Sequence, residues 1–458
     1  MKTEQGYIDI PDSAPASFKP AGKSYLTFNS SNSFTLKVNN STKNWDGTLE
    51  YFASNKTWTT WDGITTLSAV YDNGEYFLYL RGTGNTIITG NGNSHQWILT
   101  GTDIKCIGNI ENLLNYATVE TGAHPTMANY CYANMFYNCT ALTQAPSLPA
   151  TTLANNCYAY MFYNCTNLTQ APSLPATTLA DRCYYNMFRD CTALTQAPAL
   201  PATTLASYCY THMFSGCTAI TQAPALLATT LADNCYAYMF YGCALIQAPS
   251  LPATTLANAC YMVMFSNCTE LTQAPALPAT TLANSCYYGM FQDCTALTQA
   301  PALPATTLAD YCYEFMFQDC TALTQAPVLP ATTLASYCYY GMFSGCTALK
   351  LSSTKTEKYT QEYRVPSSGV GTTAQEALND MFSSTGGTFT GTPSINTTYY
   401  FSPDNMVVRE TETATLNEYV KNMINNAECI IPSSTPNSTK KFKITVDDSG
   451  TISATEVT

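Results

Sequence analysis

Apolar residues recur along most of this chain with a fixed period of 26 residues. The pattern Cys-Tyr-x-x-Met-Phe-x-x-Cys occurs nine times, and its first cysteine is Cys131, Cys157, Cys183, Cys209, Cys235, Cys260, Cys286, Cys312 and Cys338. Runs of Leu-Thr-Gln-Ala and Pro-Ala-Thr-Thr-Leu-Ala separate the copies with little change. A unit of this size cannot bury its own apolar face, so the period predicts a solenoid of stacked units.

Within one unit, Leu153, Cys157 and Met161 recur every four residues, which predicts one face of a short helix. The run 168–171, Leu-Thr-Gln-Ala, predicts a short strand that ends at Pro172, because proline has no amide hydrogen to donate. Each unit is therefore expected to contain a short strand and a short helix.

One unit is a residue short, because Cys243-Ala244-Leu245-Ile246-Gln247 replaces the usual Cys-Thr-Ala-Leu-Thr-Gln. The flanking units keep their alignment, so we expect Leu245 and Ile246 both to lie near the core.

Before the repeats, residues 23–105 change to an alternation of apolar and polar residues, with Asp-Gly and Asn-Gly turns between the runs. This pattern predicts a small antiparallel domain of the β-sandwich type. All four tryptophans fall in it. They are interpreted as core packing, and a sugar-stacking platform is the alternative.

The remaining segments complete the predicted domain organisation. They are an extended arm (1–22), the solenoid with an N-terminal cap (106–349), a linker (350–373), a degenerate closing coil (374–407) and an α+β module of a helix and a hairpin (408–458). The helix is expected over 413–428, and the hairpin strands on either side of Asp447-Asp448-Ser449-Gly450.

Composition narrows the function classes. The net charge of the 458 residues is −12 and there is no basic stripe, so nucleic-acid binding is not expected. No apolar run is long enough to span a membrane. Eighteen of the 20 cysteines belong to the repeat. Their spacing is too long for a disulfide within a helix or for a usual zinc pair, so we expect small buried thiols.

A search for catalytic chemistry is mostly negative. The three histidines, His95, His124 and His212, have no metal-ligand spacing, and His212 is expected to be solvated. The carboxylates of the repeats recur in no fixed pair of the kind that glycosidases use. We therefore predict a protein that is not an enzyme, with no catalytic residue, metal site or cofactor. A polysaccharide-degrading enzyme is retained as an alternative.

Variation between the repeats is confined to three pairs of positions: before the first cysteine, after Cys-Tyr and after Met-Phe. Tyr, Asn, Ser and Gly are frequent there, as in antibody binding loops. The tyrosines of these positions are the predicted ligand-binding residues: Tyr160, Tyr163, Tyr185, Tyr208, Tyr238, Tyr241, Tyr288, Tyr311 and Tyr340. They are expected to form rows that point to solvent. The alternative is free variation of outward positions.

This repeat resembles the BspA-like leucine-rich repeat family in its Met-Phe-x-x-Cys-Thr-x-Leu form, over about residues 126–349. Members of that family are surface or secreted adhesion proteins, and related repeats occur in proteins of phages that infect gut bacteria. The resemblance implies a curved solenoid with a binding role, and it brings no catalytic residues. The chain differs from the bacterial members because Met1–Tyr7 lacks the apolar region of an export signal.

Together these observations predict a non-enzymatic fibre, decoration or receptor-binding protein of a phage virion. It would bind a host surface glycan or protein through the repeats, and other virion proteins through residues 408–458, which resemble terminal modules of phage fibre-like proteins. A homo-oligomer is compatible with this role. The alternative is a bacterial cell-surface adhesin of the BspA-like type.

Overall fold

The computed structural model describes residues 17–22, 25–40, 42–92 and 95–402, and the strands at 430–432, 441–446 and 452–457. The described residues up to 402 belong to one compact unit, Met1–Asn405, and the strands from 430 onward belong to a second, Met406–Thr458. Most of the predicted arm and the predicted helix at 413–428 lie outside the described residues.

The N-terminal part of the first unit contains two sheets. The strands of the larger sheet are β1 (Leu26–Ser30), β3 (Thr48–Phe52), β4 (Trp58–Thr60), β6 (Val70–Asp72), β7 (Glu75–Thr83), β9 (Ile104–Ile107) and β10 (Leu142–Gln144). Its order is β10-β9-β1-β7-β3-β4, and β6 also pairs with β7. The smaller sheet contains β2 (Thr35–Val38), β5 (Leu67–Ser68) and β8 (Trp97–Thr100), in the order β5-β2-β8.

The antiparallel pairing predicted for this region is confirmed for the strands β1–β9. Trp45, Trp61 and Trp97 are buried and contact one another ring to ring, so the packing interpretation holds for them. The description as a separate sandwich stays a prediction, because β9 pairs in parallel with β10 of the first repeat and thereby continues the sheet into the repeats.

A short helix, α1 (Asn112–Glu120), follows β9 and precedes the first repeat. Leu113 and Leu114 are fully buried, and the backbone amide of Ile110 donates to Ser147. The segment around α1, which the sequence assigns to the N-terminal cap, therefore contacts the first repeat.

The prediction of a helix in each repeat is wrong. Among the described residues α1 is the sole α-helix, and the Cys-Tyr-x-x-Met-Phe-x-x-Cys segments are successions of turns. Counting the first cysteine of a repeat as position 0, positions −1, +3 and +7 lie in the left-handed region, with φ between 50° and 61° at every non-glycine residue there. A left-handed residue at every fourth position excludes an α-helix.

Backbone hydrogen bonds explain why this succession of turns is stable. Residues at even positions donate three residues back within their own repeat, as Met161 does to Tyr158. Residues at odd positions from −1 to +7 donate to the following repeat, as Tyr158 does to Cys183. Five such bonds join each repeat to the next. The backbone groups are thereby satisfied although the segment is buried. We call this array the turn ladder.

Two rows of stacked aromatic rings lie along the turn ladder. The tyrosines at position +1, such as Tyr158, are buried, and their ring centroids are 5.6–5.9 Å apart between neighbouring repeats. The phenylalanines at position +5, such as Phe162, stack at 5.5–5.9 Å. This spacing is shorter than the ~8–10 Å of packed helices, so neighbouring repeats approach each other as strands do.

The burial predicted for the thiols is confirmed for the 19 described cysteines. The thiol at position +8 has a further role, because in eight repeats it donates to the backbone carbonyl of the phenylalanine of the preceding repeat, as Cys320 does to Phe291 at 3.0 Å. Burial raises the pKa of the Cys320 thiol well above its usual value, so it keeps the proton that it donates.

The strand predicted in each repeat is reduced to isolated parallel bridges at the glutamines, such as Gln273 with Gln247, apart from β10 in the first repeat. In the short repeat Leu245 is fully buried but Ile246 is 54% exposed. The expectation that both residues lie near the core is therefore wrong for Ile246, which takes the place of an outward threonine.

After the ninth repeat, β11 (Lys350–Ser352), β12 (Gln361–Arg364), β13 (Gly386–Gly387) and β14 (Thr398–Phe401) form a sheet of order β12-β14-β11-β13. The segment predicted as a linker thus carries two strands. Residues 374–385 continue the turn ladder, because they accept five hydrogen bonds from the last repeat, and Phe382 stacks on Phe343. These residues are part of the segment 374–407 that the sequence predicts as a closing coil, and the extent of that coil stays a prediction.

The second unit contains β15 (Ile430–Pro432), β16 (Lys441–Val446) and β17 (Ile452–Val457), in the order β15-β16-β17. The strands β16 and β17 pair antiparallel from Lys441 with Val457 to Val446 with Ile452. The predicted hairpin strands are therefore confirmed.

Candidate functional site

The nine predicted tyrosines all lie on the turn ladder, at four positions of the repeat. Position −1 carries Tyr208 and Tyr311, position +2 carries Tyr185, Tyr288 and Tyr340, position +3 carries Tyr160 and Tyr238, and position +6 carries Tyr163 and Tyr241. Neighbouring repeats are joined by main-chain hydrogen bonds, so equal positions come close together in space. The side chains of Tyr241 and Tyr311 are 39% and 40% exposed, and those of the other seven tyrosines are half-buried.

The first group of outward rings is formed by Tyr160, Tyr163 and Tyr185, together with Tyr137. Tyr160 contacts Tyr185 edge to face at 5.3 Å, and Tyr163 stacks on Tyr137 at 4.7 Å. The guanidinium of Arg189 lies 5.7 Å from the Tyr163 ring, a cation–π distance. We call these four tyrosines the first tyrosine cluster. The sequence prediction left out Tyr137, although it occupies position +6 like Tyr163.

A second cluster consists of Tyr238, Tyr241 and His212. The Tyr238 ring stacks on the His212 imidazole at 4.4 Å and contacts Tyr241 at 6.2 Å. The expectation that His212 is solvated is therefore wrong. Burial and the nearby Arg189 lower its pKa to about 4, so the ring is neutral at physiological pH.

The third cluster consists of Tyr288, Tyr340, Tyr311, Phe315 and Tyr337. Phe315 contacts Tyr288 at 5.9 Å and Tyr340 at 5.3 Å, in both cases edge to face. Tyr311 stacks on Tyr337 at 5.1 Å, and Tyr337 contacts Tyr340 at 5.6 Å. Five rings from three successive repeats thus form a continuous aromatic surface.

Tyr208 stands apart from the three clusters. Its ring is covered by the guanidinium of Arg182, 4.6 Å from the ring centroid. The nine predicted residues are therefore not one uniform row. The structure brings eight of them into three clusters and pairs the ninth with a cation.

A buried carboxyl group adjoins the third cluster. Glu314 is 8% exposed and occupies position +2, where the other repeats carry alanine, tyrosine, threonine or methionine. Burial raises its pKa to about 7. Its charge in turn raises the pKa of Tyr288, after the larger effect of the burial of that tyrosine. The carboxyl thus gives this cluster a group that can accept or donate a hydrogen bond near neutral pH.

The left-handed backbone supplies another reason for the asparagine, aspartate and glycine of the variable positions. Position +7 is always Asn, Asp or Gly, such as Asn164 and Gly216, and each has positive φ. These residue types adopt that region most readily. Their frequency is therefore explained by the backbone, and only the aromatic residues remain as a sign of ligand binding.

Among the described residues no group of three or more His, Cys, Asp or Glu side chains could hold a metal ion. The described part of the chain also contains no helix long and apolar enough to cross a membrane.

Comparison with protein families matches the chain to the family described as BspA type Leucine rich repeat region. Six copies match, over residues 113–239, 185–324 and 233–363. Comparison with curated proteins and with solved structures gives no match. Because the matched residues make up more than half of the chain, the protein belongs to the family with BspA-type leucine-rich repeats.

Proposed function

We propose that the chain is a non-enzymatic adhesion protein whose stacked repeats form a solenoid. In this proposal the three tyrosine clusters bind a glycan or a protein on a host surface. The observation that carries the proposal is the concentration of half-buried aromatic rings at the variable positions of the repeats, where a soluble surface ordinarily carries Lys and Glu.

The chemistry of the clusters suits a repetitive ligand. A tyrosine offers a large apolar ring and a hydroxyl at a small entropic cost. Burial raises the pKa of Tyr160 to about 12, so its hydroxyl stays protonated and can donate a hydrogen bond. Several weak contacts of the same kind add up to firm attachment when the ligand repeats.

The proposed location is a phage virion, as a fibre, decoration or receptor-binding protein. Homo-oligomerisation and contacts of residues 408–458 with other virion proteins are part of this proposal. A bacterial cell-surface adhesin is the second candidate, and the family of the repeats favours it. Antibody labelling of purified virions and of intact bacterial cells would distinguish the two locations.

A triple variant tests the binding role. Tyr238→Asn, Tyr241→Ser and Tyr288→Ala introduce residues that other repeats carry at positions +3, +6 and +2, so the backbone conformation is retained. We expect binding to host cells and to glycan arrays to fall while the melting temperature stays close to that of the unchanged protein.

The matched control is a second triple variant, Gln273→Ala, Thr298→Ala and Gln299→Ala, which changes three exposed residues outside the clusters. Its binding should equal that of the unchanged protein. Equal binding by both triple variants would refute the role of the clusters. Release of reducing sugar from host polysaccharide would favour an enzyme instead.

A further inference from the structure

A cavity of about 580 Å³ lies on the N-terminal sheet, away from the tyrosine clusters in sequence. Its wall includes Lys19, Tyr25, Asp72, Glu75, Phe77 and Tyr79, which come from β6, β7 and the segments before β1. The volume falls within the range of about 300–1,000 Å³ that is typical of small-ligand sites.

The aromatic part of the wall is built by the alternation of a strand. Phe77 and Tyr79 are two residues apart on β7, so both side chains lie on one face of the sheet. Their rings are parallel within 2°, with centroids 5.8 Å apart, and Tyr25 meets Tyr79 edge to face. Tyr79 is buried, whereas Phe77 is only half-buried and offers part of its ring to the cavity.

The carboxylates of Asp72 and Glu75 lie side by side because of a tight hairpin. Asn73 and Gly74 have φ of 47° and 95°, which makes a two-residue turn, and Asp72 pairs directly with Glu75. Asp72 Oδ2 accepts hydrogen bonds from the Ser17 hydroxyl and from the Phe18 amide. Within the described residues Asp72 Oδ1 has no partner.

A buried amide holds the second carboxylate in place. Asn29 is 8% exposed, and its Nδ2 donates to Glu75 Oε2 at 3.0 Å. Asn29 Oδ1 is buried without a partner in the described part of the chain. Burying an unpaired amide oxygen is unfavourable, and packing alone would favour an apolar residue at this position. The hydrogen bond to Glu75 therefore explains the presence of Asn29.

The geometry points to a neutral saccharide as the ligand: we propose that a sugar ring stacks on Phe77 while its hydroxyls donate to Asp72 Oδ1 and Glu75 Oε1, the carboxylate oxygens that have no partner among the described residues. Two carboxylates against the single ammonium of Lys19 disfavour an anionic ligand. Burial, Tyr25 and Asp72 raise the pKa of Tyr79 to about 12, so its hydroxyl remains a donor for a ring oxygen. This proposal does not depend on the tyrosine clusters.

Saturation-transfer NMR on the full chain tests the site, with glucose, galactose, N-acetylglucosamine and lactose as probes. We expect at least one sugar to receive saturation. Its affinity should fall about tenfold in Glu75→Gln, since a hydrogen bond to a charged group contributes about that much. It should also fall in Phe77→Leu, which keeps an apolar side chain but removes the ring face.

Two controls separate this site from other causes. Glu120→Gln removes an exposed carboxylate outside the cavity and should bind like the unchanged protein, and the triple tyrosine variant should do the same. The proposal is overturned if no sugar binds, or if sugar binding survives both Glu75→Gln and Phe77→Leu. Tetramethylammonium is tested as a small organic cation, and binding of this cation in place of the sugars would also overturn the proposal. Circular dichroism of each variant confirms folding.

Discussion

Serine substitution of the two cysteines of one repeat should have unequal effects, although both side chains are fully buried. In the repeat that begins at Cys312, the Cys320 thiol donates to the carbonyl oxygen of Phe291 at 3.0 Å. The Cys312 thiol donates no hydrogen bond within the described residues. Serine at 320 therefore keeps a donor beside an acceptor, whereas serine at 312 buries a hydroxyl that has no acceptor.

The size of the destabilisation follows from the loss of hydration of the buried serine hydroxyl. A hydroxyl buried without a partner costs about 1–3 kcal/mol in mutational data, and a hydrogen bond that is made returns roughly 1 kcal/mol. We expect Cys312→Ser to lower the free energy of unfolding by about 1–3 kcal/mol more than Cys320→Ser. Alanine at either position introduces no hydroxyl, and the Phe291 carbonyl still accepts from the Cys294 amide at 3.1 Å. The two alanine variants should therefore agree within about 1 kcal/mol.

Urea unfolding under reducing conditions measures all four variants. Repeat arrays can unfold locally, so the comparison requires equal m-values. Equal destabilisation by the two serine variants, or a larger effect at 320, would refute the assignment of the Cys320 thiol as a structural donor.

Two further substitutions test the left-handed backbone conformation at Ala259 and the raised pKa of the buried Glu314 carboxyl. Ala259 has φ of 50° at position −1, so Ala259→Asn should raise the free energy of unfolding by about 1 kcal/mol, as measured by urea unfolding. Ala276→Asn changes an exposed residue outside the left-handed positions and should not raise the free energy of unfolding. Equal effects of the two asparagine variants would contradict backbone strain at Ala259. The folded pKa of Glu314 is about 7, above its ordinary 4.5, so the folded state binds the extra proton between these values. Stability should therefore fall as pH rises through this window. Thermal melts of Glu314→Ala should lose this dependence, and an unchanged pH profile would exclude Glu314 as its source.

The sequence predicted the stacking of the repeats and the burial of their cysteines because both follow from a strict period. It predicted a helix wrongly because Leu153, Cys157 and Met161 are four residues apart, a spacing that also fits a turn ladder with a left-handed residue every four positions. The distinguishing signal was present in the Asn, Asp and Gly of position +7. Asparagine and glycine are poor helix formers, and their recurrence favours turns.

The candidate site was predictable in its residue types but not in its grouping. Tyr160 contacts Tyr185 because an aromatic residue at position +3 of one repeat lies beside position +2 of the next. This contact between neighbouring repeats requires a spacing that is shorter than the distance between packed helices. The prediction of helices therefore did not lead to it. The cavity beside Phe77 could not be predicted from the sequence either, because it forms only when β6, β7 and β1 pair.

The direction of the turn ladder has an electrostatic consequence. In every inter-repeat bond of the ladder, the amide belongs to the earlier repeat and the carbonyl to the later one, so the peptide dipoles add as they do along a helix. One end of the stack presents carbonyls, and Ile88, Thr89 and Trp97 donate to them. The other end presents amides, where acidic Glu376 and Asp380 lie. The N-terminal region therefore places donors at the negative end of this dipole, and two acidic side chains lie at its positive end, as favourable charges do at the two ends of a helix.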